Sequence, residues 1–339
     1  MTIQQRIDAF TQLGLFLRSD SNISLQFLES VTLKNPWYTK ENVIRQLEAI
    51  SSNLSPEKLN DWLKDYYETC IESEKTVGLV LAGNLPLVGF HDILCVLITG
   101  FTVQIKVSSD DAGLTTFILN ELIRIEPKFK NKINFVERLS NYDLIIATGS
   151  NNSARYFEYY FGKKPNIIRK NRNSLAVLSG QETKSDLINL GHDIFDYFGL
   201  GCRSVSQVFI PEKYDVSTLY EGLEEFQLII NHFKYSNNYD FNKSVYLINK
   251  NIHFDNGFLL LKEDPSLSSP LSVVHFQRYN DLKEVEDYLI ANQNEIQCVT
   301  SEMELKTTIP TFPLGASQQP ELNDYADGVN TIDFLLRNQ

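Results

Sequence analysis

Cysteine is scarce in this chain. Its 339 residues hold four, Cys70, Cys95, Cys202 and Cys298, scattered without a CxxC pair or a histidine-rich neighbourhood. That spacing argues against a zinc site and implies no disulfide framework. Apolar runs are short as well: the longest, residues 77–82 and 93–98, fall far below the roughly 20 residues a membrane-spanning helix needs. No basic-then-apolar leader follows Met1, so the expectation is a cytoplasmic protein with no membrane span. Positive charge is in deficit, with 31 Lys and Arg against 43 Asp and Glu and a net charge of −12. A nucleic-acid or anionic-membrane partner is therefore not expected, and an anionic ligand would have to be drawn in by local cations. The sequence also lacks internal repeats, low-complexity linkers and the GxGxxG dinucleotide fingerprint.

What remains is enough for large cores. Hydrophobic residues make up 42% of the chain, and at roughly 150 residues per domain the length suggests about two domains. Residues 1 to about 70 read as helical. Ser55-Pro56-Glu57 is a helix start, and Leu59, Trp62, Leu63 and Tyr66 follow at helical spacing as a core-facing stripe. From Thr76 the texture changes to short apolar runs alternating with helical patterns. Strands are expected over 76–81, 102–107 and 143–147, with helices over 86–98, 114–125 and from about 151. A second alternating block has strands expected over 175–178, 205–210, 244–248, 257–261 and 271–276. Its helices are expected over 185–197, 217–233 and 281–291, and a last apolar piece spans 329–336. This alternation predicts an α/β fold with parallel sheets and crossover helices. Ligands in such sheets bind at the carboxyl ends of strands, so the segments after Leu81, Val107 and Ala147 are candidate sites.

Four segments offer chemistry. In Gly199-Leu-Gly-Cys-Arg-Ser-Val-Ser206 the glycines leave the backbone open around Cys202, whose own N–H could meet a developing oxyanion. Arg203 beside it would favour the thiolate, the reactive form. A cysteine in a glycine turn is structural at least as often as catalytic. Ala82-Gly-Asn-Leu-Pro86 places the Asn84 amide at a strand end, where it could donate to an oxyanion or simply shape a tight turn. Lys106, at the end of the next strand, could hold a ribose or phosphate or be a solvated charge. Thr148-Gly149-Ser150 opens a helix whose free N–H groups suit a pyrophosphate, though an ordinary capped helix looks the same.

Taken in order, these segments resemble the aldehyde dehydrogenase superfamily. Its members carry an Asn-aromatic-Pro turn, a Lys-Pro-Ser-Glu strand end, Thr-Gly-Ser and a Gly-x-x-Cys loop. This chain has Asn84-Leu-Pro86, Lys106-Val-Ser-Ser109, Thr148-Gly149-Ser150 and Gly199-Leu-Gly-Cys202. Tyr325-Ala-Asp-Gly-Val-Asn330 resembles the family's returning C-terminal segment. More narrowly, Gly-Leu-Gly-Cys-Arg-Ser-Val-Ser is similar to the acyl-CoA reductases of the bioluminescence type (LuxC). The resemblance implies two Rossmann-like parallel-sheet domains behind a helical N-terminal region. Its divisions are 1–74, a nicotinamide-cofactor-binding domain 75–174, a catalytic domain 175–310, and a segment 311–339 that returns to the first domain or forms an oligomer interface.

The implied activity is reduction of an acyl-CoA to an aldehyde through a Cys202 acyl-enzyme, with Asn84 as oxyanion donor and hydride from NADPH or NADH. The cofactor would lie along Lys106, Ser108, Ser109, Gly149 and Ser150. Ser109 replaces a family Glu that binds the adenosine ribose and repels a 2′-phosphate, so NADPH is admissible. The Glu-Leu-Gly-Gly-Lys segment that activates the deacylating water corresponds to Arg169-Lys-Asn-Arg-Asn173, which has no carboxylate; that loss favours a thioester reductase over an aldehyde oxidase. The family's Glu-x-Phe-Gly-Pro segment is missing, and Ser268-Ser269-Pro270 lies near its place. The same residues would serve a CoA-acylating aldehyde dehydrogenase or an acyl-phosphate reductase. A catalytically silent homologue that binds a nucleotide or a partner is the alternative outside enzymology. Family analogy also implies an acyl-delivering partner protein and a dimer or tetramer.

Overall fold

The computed structural model describes residues 1–19 and 22–339, so positions 20 and 21 of the expected helical stretch lie outside the described residues. The chain divides into two compact units, residues 1–171 with 321–339, and residues 172–320.

The first unit begins with four helices, α1 (Ile3–Arg18), α2 (Leu25–Lys34), α3 (Lys40–Asn53) and α4 (Pro56–Leu63). Each starts on a side-chain cap. Thr2 and Gln5 form a capping box on α1, and Ser55 caps α4 ahead of Pro56 at the first helical position. Leu59, Trp62 and Leu63 are buried as the spacing predicts, while Tyr66 falls in a 3-10 turn that follows. Then come β1 (Thr76–Val80), α5 (Phe90–Ile98), β2 (Thr102–Lys106), α6 (Leu114–Ile125), β3 (Ile133–Phe135), β4 (Leu144–Thr148), α7 (Asn151–Phe161) and β5 (Asn166–Arg169). All five strands are parallel, in the order β3-β2-β1-β4-β5. The chain builds outward from β1 on one side and then returns to its other side through β4. That reversal opens the crevice in which doubly wound sheets bind ligands. One apolar core joins Phe10 and Leu13 of α1, Leu59 of α4, Ile93 of α5 and Leu119 of α6 to Leu79 of β1.

The second unit holds β6 (Asn173–Val177), α8 (Lys184–Phe195), β7 (Val205–Pro211), α9 (Ser217–Leu223), α10 (Phe233–Ile248), β8 (Phe254–Asp255), β9 (Leu260–Glu263), β10 (Val273–Tyr279), α11 (Leu282–Ala291), β11 (Ile296–Thr300) and β12 (Thr311–Phe312). Its seven strands run in the order β12-β11-β6-β7-β10-β9-β8, parallel except for the β8–β9 pair. From Glu321 the chain rejoins the first unit. There Trp62 Nε1 donates to Tyr325 at 2.8 Å, the Tyr66 hydroxyl donates to Asp333 at 2.8 Å, and the last helix, α12 (Thr331–Arg337), buries Ile332 and Leu335. Among the described residues no helix is long and apolar enough to cross a membrane.

Three expected elements differ. The helix expected over 86–98 starts only at Phe90, because Leu87 has a left-handed φ of 53° that no helix continues. The long helix expected over 217–233 is α9 followed by a 3-10 stretch, Glu224–Asn231. The strand expected over 244–248 is the last turn of α10. That helix buries Tyr235, Tyr239, Asn242 and Tyr246 at helical spacing. Its buried polar atoms are met by loop carbonyls: the Tyr235 hydroxyl donates to Phe258 O at 3.0 Å and Asn242 Nδ2 donates to Leu271 O at 2.9 Å. These long-range bonds override the strand propensity of a short Val-Tyr-Leu-Ile run. Strands β3, β5, β8, β11 and β12 are additional to the expectation.

Candidate active site

In the first unit the expected segments share one edge of the sheet, because β1, β2 and β4 are adjacent and parallel. Asn84 follows β1 and is exposed. Lys106 is the last residue of β2, also exposed, and Ser108 and Ser109 continue from it. Ser108 turns inward and accepts a hydrogen bond from Asp110 N at 3.2 Å, capping a 3-10 turn over Ser109–Asp111. Asp111 is buried beneath that turn. Burial pushes its carboxyl pKa up, opposed by hydrogen bonds from Thr115. The turn at Gly83 touches the Ser108 side chain so closely that a Cβ on Gly83 would lie 2.6 Å from Ser108 Oγ. Glycine is thus what allows the Asn84 turn and the β2 end to lie side by side. Ser150 caps α7 by accepting from Ser153 N at 3.3 Å. The positive end of this helix dipole points to the same sheet edge, as phosphate recognition requires. An exposed ammonium at Lys106, two serines and a helix N-terminus flanking the chain reversal fit the pyrophosphate and ribose of a dinucleotide.

Cys202 belongs to the second unit, in the turn between α8 and β7. Three successive residues before it, Tyr197, Phe198 and Gly199, are left-handed, with φ of 53°, 60° and 77°. For the two aromatic residues this conformation costs roughly 1–2 kcal/mol each, and strain of this kind clusters at functional sites. The result is an exposed thiol, whereas Cys70, Cys95 and Cys298 are buried. Burial pushes the thiols of Cys70 and Cys298 up to about 11, and that of Cys95 well above its ordinary value. Only Cys202 combines exposure with a turn open enough for a ligand to approach.

The turn is braced from several directions. Gly201 N donates to Ser204 Oγ at 3.2 Å, Ser204 N donates to Gly201 O at 3.0 Å, and Gln318 Nε2 reaches Ser204 Oγ at 3.1 Å. The Ser174 hydroxyl donates to Cys202 O at 2.9 Å and also lies 3.1 Å from Cys298 Sγ. Buried Asp193 anchors the segment before Gln318, accepting from Gly315 N at 2.7 Å, Ser317 N at 3.0 Å and the Ser317 hydroxyl at 2.6 Å. Arg203 extends over the Phe312 ring, 5.4 Å from its centroid. Sequence reasoning singled out none of Ser174, Ser204 and Gln318. Ser204 carried a faint signal, a serine closing a glycine turn; Ser174 and Gln318 are remote in the chain and carried none.

Residues of the turn on either side of Cys202, but not Cys202 itself, line a cavity of about 90 Å³ together with Phe198, Ser269, Pro270 and Leu271. It brings Ser269-Pro270 to the Cys202 turn. Among the described residues no group of His, Cys, Asp and Glu could hold a metal ion.

A family model of acyl-CoA reductases (LuxC) matches residues 21–230. No curated protein sequence matches significantly. Among solved structures, aldehyde dehydrogenase 21 from Physcomitrella patens, in complex with the reaction product succinate, superposes with a TM-score of 0.71 at 12% identity, covering 100% of this chain and 84% of its own. An NAD+ complex of aldehyde dehydrogenase from Bacillus cereus gives a TM-score of 0.64 at 13% identity, over 91% of this chain and 73% of its own. An NADP-dependent enzyme of E. coli gives 0.66 at 12% identity, over 93% and 78%. At such identities the likeness concerns the fold, which is that of the aldehyde dehydrogenases.

Proposed function

The chain belongs to the acyl-CoA reductase (LuxC) family, an oxidoreductase family working between the acyl and aldehyde levels, and on that premise we propose that Cys202 is the nucleophile that takes the acyl group from CoA. The observation that carries the reading is the exposure of this one thiol, on a strained turn, while the other three are buried.

In this reading the Cys202 thiolate adds to the thioester carbonyl, forming the carbon–sulfur bond to the enzyme, and the resulting tetrahedral intermediate collapses by breaking the bond to CoA, which leaves as its thiolate. The oxyanion of the tetrahedral intermediate is met by the Cys202 N–H and the Asn84 amide, one such donor contributing about 3–4 kcal/mol. Ser204, Ser174 and Gln318 hold the Cys202 turn, so that its own N–H is set before the chemistry. A nicotinamide cofactor held by the first unit would supply the hydride for reduction to the aldehyde level. Lys106, Ser108, Ser109, Gly149 and Ser150 would hold the adenosine and pyrophosphate parts, and Ser109, where the family has a Glu, would admit a 2′-phosphate and so NADPH as well as NADH. Residues 75–174 thus serve the cofactor, and 175–310 carry the nucleophile.

The test follows NADPH and NADH oxidation with acyl-CoAs of increasing length, and the mass of the protein after acyl-CoA alone. Turnover and a covalent acyl adduct, both absent from Cys202→Ala, are expected. An adduct that persists in Cys202→Ala would move the nucleophile elsewhere.

A further inference from the structure

The loop between α2 and α3 has no part in the proposed chemistry, yet its side chains reach the two turns that do. Tyr38 is almost wholly buried, at 1% exposure. Its hydroxyl lies 2.9 Å from Gly83 O and 2.8 Å from Leu85 O, the carbonyls on either side of Asn84. Two carbonyls separated by a single residue therefore converge on one phenol, and the residue between them, Asn84, is exposed at the crown of the turn. Three residues earlier, Asn35 Nδ2 donates to Asp110 O at 2.9 Å, holding the neighbouring turn at the end of β2. The loop itself is fixed: Thr32 Oγ1 donates to Tyr38 O at 2.8 Å, Tyr38 N donates to Asn35 O at 2.9 Å, and Trp37 N donates to Asn35 Oδ1 at 3.1 Å. On its other side the Asn84 turn rests against Ser108, with no space for a Cβ on Gly83.

We propose that Tyr38 is a positioning residue that sets the Asn84 amide for the oxyanion, and that the α2–α3 loop is the device aligning the oxyanion turn with the cofactor turn. This rests on the role given to Asn84 above. The argument is one of rigidity. A donor at the tip of an exposed turn stabilises a transition state only if it is preorganised, and misplacement by about 1 Å can cost a hundredfold in rate. Burial, with the Asp111 carboxylate nearby, pushes the Tyr38 phenol pKa up, so the hydroxyl remains a donor throughout the working pH range. A ring alone would fill the same core space; the hydroxyl is what reaches the two carbonyls.

A double-mutant cycle tests this, read as the single-turnover rate of acyl-enzyme formation from an acyl-CoA without reductant, by quenched-flow mass spectrometry. Asn84→Ala alone tests the reading beneath: a rate equal to the parent's removes Asn84 from the reaction, and any positioning role for Tyr38 with it. With Asn84→Ala slow, Tyr38→Phe is expected to cut the parent's acylation about tenfold or more. It should change the Asn84→Ala rate less than about twofold, because neighbours acting through one group are not additive. Alkylation of Cys202 by iodoacetamide should keep its parental rate. Equal losses in both backgrounds, or no loss in the parent, overturn the proposal. Should Tyr38→Phe be too unstable to purify, Thr32→Val keeps the phenol and frees only its backbone anchor; the same non-additive pattern, smaller in size, is expected, and additivity again overturns it.

Discussion

Arg169, at the end of β5, forms an ion pair with Asp92 in the first turn of α5, with both side chains buried and Arg169 Nη2 donating to Thr331 Oγ1 at 3.1 Å. Burial acts to lower the guanidinium pKa, but the Asp92 carboxylate overcomes this and holds the charge in place. The pair fastens β5, α5 and the C-terminal helix together. Asp92→Ala should lower stability by about 3–5 kcal/mol by stranding a buried cation, and the apolar pair Asp92→Leu with Arg169→Met should restore most of it. Urea unfolding followed by tryptophan fluorescence reads the difference. A single-variant loss no larger than that of an exposed pair, about 1 kcal/mol or less, would show that the pair is dispensable.

Of the four thiols, only Cys202 is exposed and the others have raised pKa values. Brief iodoacetamide treatment of the native protein should therefore add a single alkyl group, on Cys202, as the thiolate is the reacting form. Ser204→Ala should leave that labelling intact while slowing acylation about tenfold, because Gly201 N and Gln318 lose their shared partner and the turn loosens. Acylation at the parental rate would show that the brace is only structural.

Asp264 joins β9 to the start of a loop, accepting from Lys262 Nζ at 2.6 Å and Ser266 N at 2.9 Å. Burial pushes its carboxyl pKa up, but these hydrogen bonds and His275 outweigh it and hold the pKa well below the ordinary range. A lowered carboxyl pKa contributes stability above the unfolded value of about 3.9, and that contribution is lost as pH falls below it. Chemical denaturation at stepwise pH should show the parent losing stability below about pH 4 more steeply than Asp264→Asn. Parallel curves would remove Asp264 from the acid response.

Helix α10 ends in a Schellman arrangement, with Asn251 N donating to Tyr246 O at 2.9 Å and Lys250 N donating to Leu247 O at 3.2 Å. Lys250 occupies the left-handed position, φ 56°, and is exposed. Lys250→Gly should raise stability by about 0.5–1 kcal/mol, since glycine takes this conformation without the Cβ clash. A lowered denaturation midpoint would refute the strain.

How much of this was legible beforehand depends on the range of the forces involved. Helix α6 and strands β1, β2 and β7 are close to their expected bounds, because continuous apolar runs and short punctuating turns are local signals. The Asn84 turn, the Lys106 strand end, the Gly149 helix start and the Cys202 turn were all readable as residue types in order. Helix α10 ends where a strand is expected because its buried face is made of tyrosines and an asparagine, whose polar atoms are met by carbonyls far along the chain.

The sequence by itself determined that the molecule is an α/β protein with parallel sheets, and it put chemically suited residues at the ends of its strands. Only the tertiary structure decided which thiol is exposed, since burial of Cys70, Cys95 and Cys298 is a property of packed neighbours and not of local pattern. It likewise decided that Tyr38 and Asn35 reach the turns after β1 and β2, and that Gln318 reaches Ser204. Such bonds join residues scores of positions apart; hydrogen bonding has a reach of about 3 Å, and only folding brings these groups within it.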